Sequence, residues 1–185
     1  MIDDILLDAE DKMEKAIEVA RNDFSNIRSG RANAGMFNSI LVDYYGAPTP
    51  LQQLATVAIP EARTVTISPY DRSSIQAIDK ALRESDLGVN PTDDGQFLRI
   101  NLPPLTEERR RDYVKLARTK AEDARITIRS IRRKAKEELD RIKKDGEAGE
   151  DEVERAEKEL ESVTKRHTDL VDQILDAKEK DLLEV

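Results

Sequence analysis

Ala117–Ile142 reads ARTKAEDARITIRSIRRKAKEELDRI, and its apolar positions decide the fold. Ala117, Ala121, Ala124, Ile128, Ile131, Ala135, Leu139 and Ile142 step by threes and fours. That spacing predicts one long helix with a narrow apolar stripe and charge everywhere else. Thr106 offers an N-cap, and Glu107 and Glu108 suit the positive end of the helix dipole. Asp145-Gly146 and Gly149 mark the stop. Such a stripe cannot be buried by a lone helix, so partners are required.

The chain supplies two. Upstream, Ile2, Leu6, Ala9, Met13, Ala16, Ala20, Phe24 and Ile27 repeat the spacing. Downstream, Val153, Ala156, Leu160, Val163, His167, Leu170, Ile174 and Ala177 do so again, after the acidic opening Glu150-Asp151-Glu152. Three stripes, two of them joined by a short turn, predict an elongated antiparallel three-helix bundle over residues 1–29 and 106–185. Helices of about 35–40 residues would run on the order of 55–60 Å, making the bundle a rod.

Residues 30–105 follow another pattern. Ile40, Val42 and Tyr44 alternate, as do Val65 and Ile67, and YYGAPTP reads as a turn after the first strand. LATVAIP reads as a strand ended by Pro60, SSIQAIDKALRES as a helix, and VNPTDDGQFLRI as strands around an Asp-Gly turn. The fold class is therefore α+β, a helical bundle carrying a small inserted β/α/β domain. The two crossings between them are IRSGRA and NLPPLTEE. Gly30 in the first permits unusual dihedrals, and Pro103-Pro104 hold the second extended. Both a rigid junction and a hinge fit that composition.

Chemistry is sparse. With no cysteine there is no disulfide framework or thiol nucleophile. The single histidine, His167, falls on an apolar stripe and reads as a packed side chain. GRANAGMF has the glycine spacing of a phosphate loop, but Met36 and Phe37 stand where Lys and Ser or Thr would be needed. In NPTDDG the position of a calcium loop's closing Glu is Asn101. No enzyme, cofactor or metal site is expected. The acidic, amphipathic N-terminus is no signal peptide, and no apolar run approaches a membrane span, which points to a soluble cytoplasmic protein.

Charge is the remaining signal. The chain carries −8 overall, yet residues 106–145 carry +6 and residues 146–185 carry −8. From Ala124 to Lys136 there are six bases and no acid. Arg118, Arg125, Arg129, Arg132 and Lys136 each follow a stripe residue, about 100° round the helix, as a continuous exposed ribbon. Arg133 and Lys134 widen it, and Arg109, Arg110 and Arg111 begin it. Two readings stay open: interhelical salt bridges to acidic neighbours, or a docking face for the phosphates of structured nucleic acid. A coiled-coil scaffold and a general nucleic-acid binder are the rival classes.

Five stretches carry a family resemblance over the whole chain: IRSGRA, YYGAPTPLQQLA, DRSSIQAIDKAL, SDLGVNP and LPPLTEERRRDYVKLARTKAEDARITIRSIRRKA. In order and spacing the chain resembles the bacterial ribosome recycling factors. The resemblance implies an L-shaped, tRNA-like monomer with a hinge at Arg28, Ser29, Gly30 and Arg31 and at Leu102, Pro103, Pro104 and Leu105. It implies binding to the large ribosomal subunit and its rRNA after termination. It also implies splitting of the ribosome with elongation factor G, which itself uses the GTP. The family's rRNA contacts fall here on Arg132, Arg129 and Arg110. The ribbon adds Arg133, Arg125 and Arg118 as supporting positions.

Overall fold

Thr106 Oγ1 accepts the Arg109 N–H at 3.1 Å, and the helix α4 (Glu107–Lys144) starts on that cap. In this computed structural model, which describes residues 1–183, α4 is one of three long helices. The others are α1 (Ile2–Ser25) and α5 (Glu150–Leu183). Ala117, Ala121, Ala124, Ile128, Ala135, Leu139 and Ile142 of α4 are buried, as the stripe requires, while Ile131 is half-buried. α1 ends at Ser25, yet Ile27 beyond it is still buried. The Glu147 N–H bonded to the Ile142 carbonyl at 3.1 Å and a left-handed Gly146 close α4.

In α5 the stripe drifts. Val153, Ala156, Leu160, Val163 and His167 are buried, but Leu170 and Ile174 are half-buried and Ala177 is exposed, and Val171 is buried instead. A helix turning 3.6 residues per turn slips by about 20° per heptad against a 3.5-residue pattern, so the seam moves to the neighbouring row. His167 donates from Nδ1 to the Val163 carbonyl at 2.7 Å, a packed histidine on its own helix.

The chain divides into two compact units. The first holds Met1–Ile27 and Asp112–Lys180; the second holds Arg28–Arg111 and the stretch from Asp181. In the first, ion pairs show how the helices run. Arg118, Arg125, Arg132 and Lys143 of α4 meet Glu179, Asp172, Glu161 and Glu150 of α5. As one number rises the other falls, so α4 and α5 are antiparallel. Arg166 of α5 meets Glu10 of α1.

The second unit contains β1 (Leu41–Tyr44), β2 (Ala47–Pro50), the single-turn α2 (Leu51–Leu54), β3 (Ala55–Glu61), β4 (Thr64–Pro69), α3 (Ile75–Arg83), β5 (Thr92–Asp93) and β6 (Leu98–Asn101). β1 and β2 form a hairpin, and the other four strands form an antiparallel sheet ordered β3-β4-β6-β5. Val65 lies opposite Ile100 and Ile67 opposite Leu98, so alternation puts all four on the face that packs with Ile78 and Leu82. Met36 and Phe37, on a turn of 3₁₀ helix, fill the same core.

Two sequence expectations need correction here. YYGAPTP is more than a turn: Tyr45 and Gly46, at φ 50° and 84°, make a tight reversal and Ala47–Pro50 return as a strand. Its prolines are tolerated because this strand pairs on one side only. Pro60 does not end β3 either. Register slips between Ala58 and Glu61, and the strand continues through a bulge.

Candidate nucleic-acid interface and junction

Position on α4 sorts the arginines. Taking Ile128 as the buried direction, Arg132 and Arg125 lie about 40–60° away, Arg118 about 80°, Arg129 about 100° and Arg133 about 140°. Arg125 at 20% and Arg132 at 33% are drawn in, against 58% for Arg129, while Arg118 is 65% exposed although it too reaches an α5 acid. The expected ribbon is therefore not uniformly exposed. Arg125 and Arg132 lean into the seam with α5, and Arg118 meets an α5 acid from the surface.

Arg118, Arg125 and Arg132 sit at heptad spacing, about 10.5 Å apart along the axis. Arg118 Nε donates to Glu179 at 2.6 Å, and Arg132 Nη1 donates to Glu161 at 2.7 Å. Arg125 donates through Nε and Nη2 to Asp172 Oδ1 and through Nη1 to Glu122 at 3.1 Å. Glu179 holds the Arg118 guanidinium above its ordinary pKa, first by hydrogen bonding and then by charge. For Arg125, burial pushes down, but the hydrogen bonds from Asp172 and Glu122 and their charges carry the net shift upward. These guanidiniums stay charged under all working conditions. The acids missing between Ala124 and Lys136 are thus supplied by α5 and by Glu122.

The outer members differ. Arg129 reaches Glu122 only at 3.5 Å, the limit of a useful contact. Arg133, Lys134 and Lys136 are exposed and make no ion pair among the described residues. Arg110 stands apart, in the first turns of α4 and in the second unit. It is half-buried, and its Nε is buried without a partner among the described residues. Arg111 is held by Glu107 at 2.6 Å.

The two crossings meet on one hairpin. The Ala32 N–H donates to the Ala62 carbonyl, and the Leu102 N–H donates to the Arg63 carbonyl, both at 2.7 Å. Both acceptors lie in the β3–β4 turn. Arg28 Nη2 then donates to the Pro103 carbonyl at 2.7 Å, tying one crossing to the other. Ser29 is buried, with its hydroxyl on the Arg31 carbonyl at 3.0 Å. Leu102 and Leu105 are buried, while Pro103 and Pro104 are exposed and Gly30 is half-buried.

Sequence reading missed Glu161, Asp172 and Glu179, and the Ala62–Arg63 anchor. The acids were within reach of a simple count. Equal steps back along α4 and forward along α5 from the turn at 145–149 bring 143 to 150 and 132 to 161, while Arg125 and Arg118 meet Asp172 and Glu179 about one helical turn further along α5. No comparable signal marks the anchor, which is made of backbone groups. No group of three or more metal-capable side chains occurs among the described residues, and none of their helices is long and apolar enough to cross a membrane.

Residues 20–183 match the sequence model of the family described as Ribosome recycling factor. The ribosome-recycling factor of Kineococcus radiotolerans is 70% identical over 185 residues, and that of Beutenbergia cavernae is 69% identical, with both chains fully covered in each case. A solution structure of a ribosome recycling factor matches at a TM-score of 0.84 and 38% identity, covering all of this chain and 98% of that one. Another, at 0.72 and 40% with full coverage of both, comes from models of the T. thermophilus ribosome recycling factor and E. coli elongation factor G bound to the E. coli post-termination complex.

Proposed function

The chain belongs to the ribosome recycling factor family, and we propose on that basis that the α4 arginines are its grip on the RNA of the large ribosomal subunit. It is a translation factor rather than an enzyme, and it acts in ribosome recycling. The observation that carries the RNA reading is the heptad row Arg118, Arg125, Arg132, flanked outward by Arg129, Arg133 and Lys136. Guanidinium forks at a regular axial spacing suit the phosphates of a folded RNA, and the scarcity of aromatics argues against stacking on unpaired bases. Arg110 adds a cation at the start of the same helix.

In this reading the protein works in the cytoplasm as a monomer on the post-termination ribosome. Elongation factor G spends the GTP and drives the subunits apart. The helical bundle, residues 1–29 and 106–185, anchors to the subunit. The inserted domain, residues 30–105, receives the push, with a hinge at 28–31 and 102–105. The backbone bonds of Ala32 and Leu102 to one hairpin support that placement, because they hold the chain just inside each crossing. Bending is then left to Arg28–Arg31 and Pro103–Leu105. Incubating post-termination ribosomes with this protein, with and without elongation factor G and GTP, tests the function. Subunits should separate only when all are present. Equal separation without the protein would refute it.

A second reading has its own observation. Every inner arginine already has an acid, so the row could serve only to fasten α4 to α5. Loss of melting temperature in Arg132→Ala with no loss of subunit affinity would favour it.

A further inference from the structure

We propose that Glu161, Asp172 and Glu179 determine specificity by acting as built-in competitors for phosphate on the arginine row. This rests on the RNA reading of that row.

The geometry gives the competitors a regular form. Arg118, Arg125 and Arg132 each have one α5 carboxylate at hydrogen-bond distance: Glu179 at 2.6 Å, Asp172 at 3.0 Å from Nε, and Glu161 at 2.7 Å. On α5 these acids lie eleven and seven residues apart, which returns each to the same side of the helix within about 20°. Three cations on one line therefore face three anions on another. A carboxylate and a phosphate oxygen satisfy a guanidinium fork in the same way, so an incoming phosphate must displace the acid or share the arginine with it. The displaced carboxylate also remains beside the seam and repels the next phosphate along.

The consequence is selective. A loose or randomly placed polyanion meets one arginine at a time, and each exchange swaps one anion for another with little gain. A folded RNA whose phosphates stand at fixed positions can replace several carboxylates together, while Arg129, Arg133 and Lys136, outside the seam, provide the first attraction. The net charge of −6 that α5 carries over residues 150–183 adds a general repulsion of unstructured nucleic acid. For a factor that works among abundant RNA, such masking keeps the row for one surface.

The test uses full-length protein carrying Glu161→Gln, Asp172→Asn and Glu179→Gln together, with Asp172→Asn alone as a milder form. The carboxamides keep an acceptor for each arginine but remove the charge. Affinity for a generic RNA duplex and for isolated large subunits is measured across a salt series, after circular dichroism has shown native helix content. The triple variant should bind the duplex about tenfold more tightly, with a salt slope steeper by roughly one per unmasked arginine. Subunit affinity should rise much less, so discrimination falls. Asp172→Asn alone should move the same way by a smaller factor, which keeps the proposal testable if the triple variant is unstable. Unchanged duplex affinity and slope in the folded variants would overturn it. Equal gains for duplex and subunit would overturn it too, since discrimination would then not depend on the acids. Arg118→Ala, Arg125→Ala and Arg132→Ala proteins run in parallel. If they bind subunits like wild type, the RNA reading of the row fails. If they bind weakly while the carboxamides change nothing, the masking alone fails.

Discussion

The two units reach stability by different routes. In the second, large side chains fill one apolar cluster: Phe37, Leu51, Ile67, Ile78, Leu82, Leu98 and Ile100 are essentially inaccessible. In the first, much of the buried stripe is alanine: Ala9, Ala16 and Ala20 on α1, Ala117, Ala121, Ala124 and Ala135 on α4, and Ala156 on α5. Small residues let helix backbones approach closely but bury little area each. Charged flanks are then drawn in toward the seam, and the ion-pair ladder between α4 and α5 is the result. A core built of volume leaves its surface independent of its packing. A core built of close approach puts its surface charges in the packing, which is why the arginine row and its acids cannot be treated separately.

That contrast can be broken at either end. Truncating Phe37 to Ala empties the centre of the second unit and should cost about 3–5 kcal/mol. Urea denaturation should show an early loss of the near-ultraviolet circular dichroism of Tyr44, Tyr45 and Tyr70, with the far-ultraviolet signal of the long helices retained. A single unchanged transition would show that the units do not differ in this way. Enlarging Ala121 to Leu tests the other route. Where helices touch through alanine, added volume has nowhere to go, and about 1–3 kcal/mol should be lost. The tertiary signal of the second unit should persist. A neutral result would mean that the helices are not in close approach there.

A smaller effect belongs to Asp71, in the second unit. The Ser73 backbone N–H, at 3.0 Å, and then the Ser73 hydroxyl hold its carboxyl below the ordinary carboxylate range; burial opposes them, and the Tyr44 hydroxyl adds to the lowering. A depressed carboxyl stabilises the fold above its unfolded pKa, and that contribution fades as pH falls through the folded value. Asp71→Asn should therefore melt lower than wild type at pH 7, and the gap should close as the pH is lowered below the usual carboxylate range. A gap independent of pH would show that the Asp71 side chain, which caps the 3₁₀ turn Arg72–Ser74, acts by geometry alone.

Much of this was legible in the residues, for identifiable reasons. The stripes of α1 and α4 announce themselves because alanine and isoleucine recur at helical spacing among charges, and Thr106 caps as its type suggests. The alternation at Val65 and Ile67 marked β4, and the Asp-Gly turn in VNPTDDGQFLRI marked the β5–β6 pair. The strand Ala47–Pro50 was hidden because Pro48 and Pro50 suit a turn better than a ladder, and only one-sided pairing admits them. The end of the α5 stripe was hidden because a fixed repeat was carried past the point where helical drift moves the seam from Leu170 to Val171. In the candidate site the arginines were visible, but their exposure was not. Whether a residue next to a stripe faces water or a neighbouring helix depends on which side that helix lies, and local spacing is silent on it.

The central claim is that the α4 row holds the large subunit, and Arg132→Ala tests it most directly. Its guanidinium makes one partly exposed pair with Glu161, so helix content and melting should stay close to wild type. Affinity for isolated large subunits, measured across a salt series, should fall on the order of tenfold at moderate salt, with a slope shallower by about one. Affinity and slope indistinguishable from wild type would contradict the assignment.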